Sequence, residues 1–301
     1  MMRVTAQRLP GNPILTRFAE RRVGVNVNGP SLIRVPDWVP APLGRYYLYF
    51  AHHIGGFIRM AFADDLNGPW RVHAPGVLDL AEVPHLHDHI ASPDVHVDMR
   101  DRVIRMYFHG VSDPTPFEDP PQMTGLATSA DGLAFHARPE LLGASYFRVW
   151  AWEGWHYAVS LGGRLWRSRD GVSPFEAGAG CLGLPQGTRH LAVLVAGDTL
   201  WVAWSVIGDA PERIFIGQVD LRADWTAWQV GNIQELLRPE RDWEGADLPI
   251  APSRAGLADT RVHELRDPAF FSENGVTYLL YAVAGEAGLG MARLTFEEER
   301  T

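Results

Sequence analysis

The chain has no lysine; all 27 of its basic residues are arginine. That absence excludes imine chemistry on a lysine side chain, one of the common covalent routes. It has a single cysteine, Cys181, so no internal disulfide can form. Cys181 lies in a glycine-rich loop with no His–Asp pattern beside it, which marks an inert thiol and not a nucleophile. No run reaches the roughly 20 uninterrupted apolar residues that span a bilayer. The first 16 residues lack the apolar core of a secretory signal, so a cytoplasmic location without a membrane partner is expected. Positive charge is also in short supply. With 36 acidic residues the net charge is −9, and no basic run tracks a phosphate backbone, which argues against nucleic acid as a partner. The glycines around residues 183–187 have no strand–loop–helix setting, so they do not read as a phosphate loop. Helical periodicity is nearly missing as well.

What the chain has instead is one hairpin written five times, at Ser31–His53, Val95–Gly110, Phe147–Gly163, Ala192–Asp209 and Phe270–Glu286. Each copy is a short apolar strand, a turn rich in Gly, Asp or Asn, a longer aromatic strand and a polar or glycine break. A third strand follows each hairpin, at 58–64, 124–131, 164–171, 214–221 and 289–296. Such repetition of one supersecondary unit marks a radial or stacked architecture. The pattern predicts an all-β, single-domain, five-bladed β-propeller. Its blades are expected near 26–80, 89–135, 145–180, 188–230 and 262–296. The last repeat stops after three strands, so residues from about Val4 to Ile14 are expected to supply the missing outer strand and close the ring.

This topology sorts the polar residues. In a propeller, the starts of the inner strands and the exits of the second strands open on one face. On that face fall Asn26–Pro30, His85–Asp94, Arg189–His190 and Glu264–Pro268, with His52, His53, His109, Asp209–Arg213 and Glu286 at the exits. The opposite turns hold ordinary turn residues. Asp94, stiffened by the preceding Pro93, alternates with His96 and Asp98 onto one side of a strand. Its two readings are a site carboxylate and a turn cap. Glu264, Arg266 and Asp267 directly precede an apolar inner strand, and Arg266 can fork onto a carboxylate or a pair of hydroxyls; the alternative is a structural pair closing the ring. Glu286, in a tight exit loop, reads as a site acid or a surface turn acid. Asn28, His52, His53, His89, His109, Arg189 and His190 are candidate substrate contacts, suited to hydroxyl groups or to tuning a carboxylate. His85, His87 and His89 alternate in a loop, a weak ligand pattern. No metal ligands are assigned and no cofactor is required, with room left for a structural ion at the axis.

With five blades, Ser92-Pro93-Asp94-Val95 at the second inner strand and Arg266-Asp267-Pro268 before another, the chain resembles the five-bladed glycoside hydrolases of family 43 (arabinofuranosidases and xylosidases) and their relatives in families 32 and 130. The resemblance spans nearly the whole chain in architecture and only short motifs in residues. It implies a glycosidase acting on a small or plant-type oligosaccharide. Asp94 matches the family's pKa-modulating Asp. The family's general base is an Asp before Pro in the first blade, where this chain has Gly29-Pro30 and no carboxylate; the fifth blade has Asp267-Pro268 instead. The nearest counterpart of the family's acid is Glu212. Two carboxyl groups are needed, one protonated and one ionised. The resemblance therefore implies Asp267 and Asp94 as base and pKa-tuning carboxylates, with Glu264, Glu286 or Glu212 as the acid. A carboxyl separation of roughly 6.5–9.5 Å would indicate inversion, and about 5–5.5 Å retention. Two other function classes fit the same face: a glycan-binding propeller without catalysis, and a histidine–metal lyase or hydrolase.

Overall fold

The computed structural model describes residues 2–113 and 121–298; positions 114–120, inside the second repeat, lie outside the described residues. As the repeats predict, the fold is an all-β five-bladed propeller in one domain. Blade I comprises Asn28–Arg34, Tyr46–Ala51, Phe57–Ala63 and Arg71–Asp79. Blade II comprises Leu86–Asp98, Val103–Ser112, Gln122–Ser129 and His136–Ala137, with Gly143–Ala144 pairing further along the third strand. Blade III comprises Arg148–Trp152, Trp155–Val159, Arg164–Ser168 and Glu176–Cys181. Blade IV comprises Thr188–Ala196, Thr199–Val206, Ile214–Asp220 and Gly231–Leu237. Blade V takes Leu265–Glu273, Val276–Val283 and Gly288–Glu298 from the end of the chain and Met2–Arg8 from its beginning.

Apolar clusters fill each of the five junctions between neighbouring blades, II–III for example through Tyr107, Leu126, Phe147 and Phe175. Because each blade is covered on both faces, Tyr46–Ala51 is buried at every position. A strand between two covered layers reads as a continuous apolar run and not as an alternating one. The hairpin turn Asn274-Gly275 has positive φ at both residues (51° and 75°), which matches the twist of the strands it joins. It lies at the far end of the blade from the polar cluster described next.

The inner strands begin with a shared irregularity. In blades I, II, IV and V one extra residue is inserted between Asn28 and Ser31, Ala91 and Asp94, Thr188 and Leu191, and Arg266 and Ala269. In three of them a residue of positive φ directly precedes proline: Gly29 (55°), Ser92 (49°) and Asp267 (49°). Bulges re-aim side chains, and backbone strain of this kind collects at functional positions. Just past the bulge, the inner strands are laced to one another. Ser31 Oγ accepts from Val95 N–H of the next blade at 2.9 Å, and Asp94 Oδ2 accepts from Val149 N–H of the blade after that, also at 2.9 Å.

Candidate active site

The bulged end of the axis gathers four buried carboxylates. Asp267, aimed by its positive φ, accepts from His190 Nδ1 of blade IV and from Gly29 N–H of blade I at 3.4 Å. Glu264 takes Arg266 Nε at 2.7 Å. Glu212 is held by Arg189 through two bonds of 2.8 and 3.0 Å and by Ser205 Oγ at 2.6 Å. Glu286 receives Asn26 Nδ2, Ala258 N–H, His53 Nδ1 at 3.2 Å and Arg266 Nη1 at 3.3 Å. Arg266 thus contacts Glu264 and Glu286 and lies 3.8 Å from Glu212. The short parallel bridge between Glu212 and Glu264 brings the exit of blade IV alongside the start of blade V.

Four carboxylates against two guanidiniums leave the cluster short of positive charge. Imidazole and amide donors from His53, His190 and Asn26 meet part of that surplus. The acids consequently diverge. Burial pushes Glu264 above its ordinary value, and Glu212 adds to this, outweighing Arg266 and Arg189. Burial also acts on Asp267, but His190, Arg189 and Arg266 pull it well below the usual carboxylate range. Glu286 is lowered as well, against its burial, by His53 and Asn26. One carboxyl biased towards its protonated form beside others held ionised is the division of labour that acid/base chemistry uses.

Aromatic and imidazole rings cover the floor. Tyr146, at φ 65° just before the inner strand of blade III, is sandwiched between His190 (ring centroids 4.5 Å apart) and His109 (4.0 Å). Burial, with the Asp267 charge, pushes the Tyr146 phenol up to about 12. His89 stacks edge-on to His109 at 5.6 Å. Burial and the surrounding His89, His190 and Arg148 hold His109 well below the ordinary imidazole range. Among the described residues the Nδ1 of His109 and the Oδ1 of Asn28 are buried without partners, which leaves polar groups unsatisfied at this floor. A hollow of about 410 Å³ opens against Glu264 and Arg266, walled by the loop from Leu248 to His263.

The structure thus brings together Asp267, Glu264, Glu286, Glu212, Arg189, His190, Arg266 and His53, with Asn28, His89 and His109 beside them. Two of the residues singled out from sequence fall outside this set of contacts. Asp94 lies further along the axis, bonded to Val149 N–H and, at 2.9 Å, to His96 Nε2, and it lines a separate cavity of about 490 Å³ with Arg148 and Phe270. His52 turns back to accept from Ile54 N–H. Asn26, placed on this face from sequence but not among the candidate contacts, joins the cluster. Tyr146 joins it without having been singled out; its sole sequence signal is its place before the third inner strand. His85, His87 and His89 do not converge, since His87 binds Asp113. Among the described residues no three His, Cys, Asp or Glu side chains are grouped to hold a metal ion. Nor, among those residues, is any helix long and apolar enough to cross a membrane.

No protein-family model matches the chain. It is 37% identical over 321 residues to the protein named uncharacterized protein R118 of Acanthamoeba polyphaga mimivirus, covering 95% of this chain and 89% of that one. The two chains belong to one family. Among solved structures, the GH43_1 enzyme of Xanthomonas citri superposes with a TM-score of 0.60 at 14% identity, over 92% of this chain and 90% of that one. CoXyl43, a β-xylosidase/α-arabinofuranosidase from a compost microbial metagenome, gives 0.62 at 13%, over 99% and 96%. The α-L-arabinofuranosidase of Lactobacillus brevis gives 0.62 at 11%, over 94% and 92%. The fold is therefore that of the family 43 five-bladed glycoside hydrolases. At such identities the likeness extends to architecture alone, since one propeller hosts many chemistries.

Proposed function

We propose that the chain is a glycoside hydrolase that uses Glu264 as general acid and the Asp267 end of the cluster to activate water. The observation that carries this reading is the pairing, at one end of the axis, of Glu264, biased by burial towards its protonated form, with the adjacent buried Asp267, held ionised by His190 and faced by Gly29 N–H. Protonating a leaving glycosidic oxygen requires the first group, and activating water requires a base at the second, either the carboxylate or the imidazole it holds. Glu212 and Glu286 hold Arg189, Arg266 and His53 in place. The unsatisfied Asn28 Oδ1 and the imidazoles of the floor suit sugar hydroxyls. The surplus of negative charge favours neutral sugars over uronic acids, whose carboxylates it would repel. Structural neighbours of the same fold include enzymes crystallised with xylose and xylotriose, which makes pentose-containing oligosaccharides the first substrates to try.

The test is hydrolysis of a panel of aryl glycosides and short plant oligosaccharides by the wild type and by Glu264→Gln. We expect turnover that falls by about 10²–10⁴ in the variant, with the smallest loss on substrates whose leaving group needs no proton. Sugar binding without release, unchanged in Glu264→Gln, would instead make the protein a glycan-binding propeller. The first-blade glycine at position 29 is the feature that would then be decisive.

A further inference from the structure

Asp267 is badly placed to meet water itself. Its Oδ1 is bonded to His190, its Oδ2 faces Gly29 N–H, and its side chain is 1% exposed. His190 is different. Its Nδ1 is committed to Asp267, its ring is clamped by Tyr146, and its Nε2 has no hydrogen-bond partner among the described residues. Its side chain is also the more open of the two, 7% exposed against 1% for Asp267. A carboxylate on one imidazole nitrogen fixes the tautomer and leaves the other nitrogen as an acceptor.

We infer that His190 Nε2 is the group that takes the proton from the attacking water, with Asp267 as its positioning residue. This rests on the glycosidase reading above. In the step, the water oxygen bonds to the anomeric carbon while its proton passes to His190 Nε2. The glycosidic C–O bond breaks, and the leaving oxygen takes the proton of Glu264. One water is consumed, a hemiacetal and an alcohol are formed, and imidazolium and carboxylate return to their starting states through solvent. A single displacement of this kind inverts the anomeric configuration. The His–Asp pair thereby stands in for the carboxylate that Gly29 lacks. The titratable groups against the ring are Asp267 of blade V, bonded to it, Tyr146 of blade III, packed on it, and His109 of blade II, whose charge interacts with it; Arg189 and Arg148 act on those same neighbours.

The experiment uses whichever aryl glycoside the wild type cleaves. Expected are a fall in kcat of about 10²–10⁴ for His190→Ala with little change in KM and partial restoration by added imidazole. The first-formed product should be the inverted anomer by proton NMR. Asp267→Asn should lose less and should not respond to imidazole. Restoration of Asp267→Ala by formate, with His190→Ala still active to within tenfold, would make Asp267 the direct base and overturn the assignment. A retained anomer would overturn it too. Should His190→Ala fail to fold, nitrogen NMR of the wild-type histidines decides: a proton on Nε2 and none on Nδ1 of His190 at neutral pH sinks the proposal. Wild-type inactivity on every glycoside, with sugars still bound, removes the glycosidase reading and this assignment with it. Turnover that survives in His190→Ala removes the assignment alone.

Discussion

Two buried arginine–carboxylate networks sit in this propeller, one at the ring closure and one at the axis mouth, and they are built on opposite terms. At the closure, Glu244 is matched by one arginine. Arg8 grips it twice, at 2.7 and 2.8 Å, and Tyr281 Oη and the backbone N–H groups of Glu240 and Arg241 supply the rest. Its charge is balanced and both oxygens are fully used. At the mouth, four carboxylates share two arginines, one of those acids is pushed towards neutrality, and buried polar atoms of Asn28 and His109 lack partners. A structural ion pair is completed by its own protein. A cluster with surplus charge and unmet polar groups is completed by something else, in the function proposed above a substrate and its transferred proton.

The largest effect should come from breaking the balanced network. Arg8→Met leaves Glu244 fully buried and unpaired, which costs roughly 3–5 kcal/mol. For a chain of this size that lowers Tm by about 5–8 °C. Thermal and urea unfolding should show this loss, while turnover per folded molecule stays at the wild-type value. An equal loss of specific activity would mean that the closure and the mouth are coupled and that the contrast drawn above is false.

The contrast also explains what could be read from sequence. The repeated hairpin put Arg189, His190, Glu264, Arg266 and Asp267 at strand starts and Glu286 at an exit, and those positions do share one end of the axis. A radial repeat turns spacing along the chain into position in space, so the sorting was legible. Partners were not. Asp94 follows proline in a motif that resembles a known site, yet its carboxylate reaches Val149 N–H, 55 residues away, just as Ser31 reaches Val95. Neither hydrogen bond has any local signature. The Glu244 clasp was equally silent, because its guanidinium lies 236 residues away in the closing strand. Tyr146 carries no polar pattern and is set apart by a positive φ that no sequence displays.

A smaller effect should appear at Gly29, the blade I position whose N–H meets Asp267 at the mouth. Its φ is +55°, and a Cβ there would lie 3.1 Å from Ser92 Cα. Gly29→Ala should cost about 1–2 kcal/mol for the left-handed backbone alone, measured by urea unfolding. Gly29→Asp should be no more active than Gly29→Ala, since the backbone that would carry a first-blade carboxylate is pressed against Ser92. A gain in activity from Gly29→Asp would show that the mouth still accepts a base in blade I and that its surplus of acid is incomplete.

The smallest effect is the most discriminating. In Glu264→Gln, the lost charged bond to Arg266 and the relieved burial of a carboxylate oppose each other, so the change in stability at pH 7 should stay within about 1 kcal/mol. Its pH dependence has a definite sign. Folding raises the Glu264 value above the ordinary 4.5, so between the two values the folded chain binds more protons than the unfolded one. Stability contributed by this group is therefore full below about 4.5 and declines as pH rises through the raised value. The glutamine variant has no such slope, so it should gain on the wild type as pH is raised from 4 to 7. Asp267, with its lowered value, runs the other way: its contribution is present at neutral pH and is lost on acidification, and Asp267→Asn should flatten the acid side of the stability curve. Paired unfolding curves across this range would test both slopes. Parallel curves for wild type and Glu264→Gln would mean that Glu264 is as fully paired as Glu244, and the mouth would then be a second clasp.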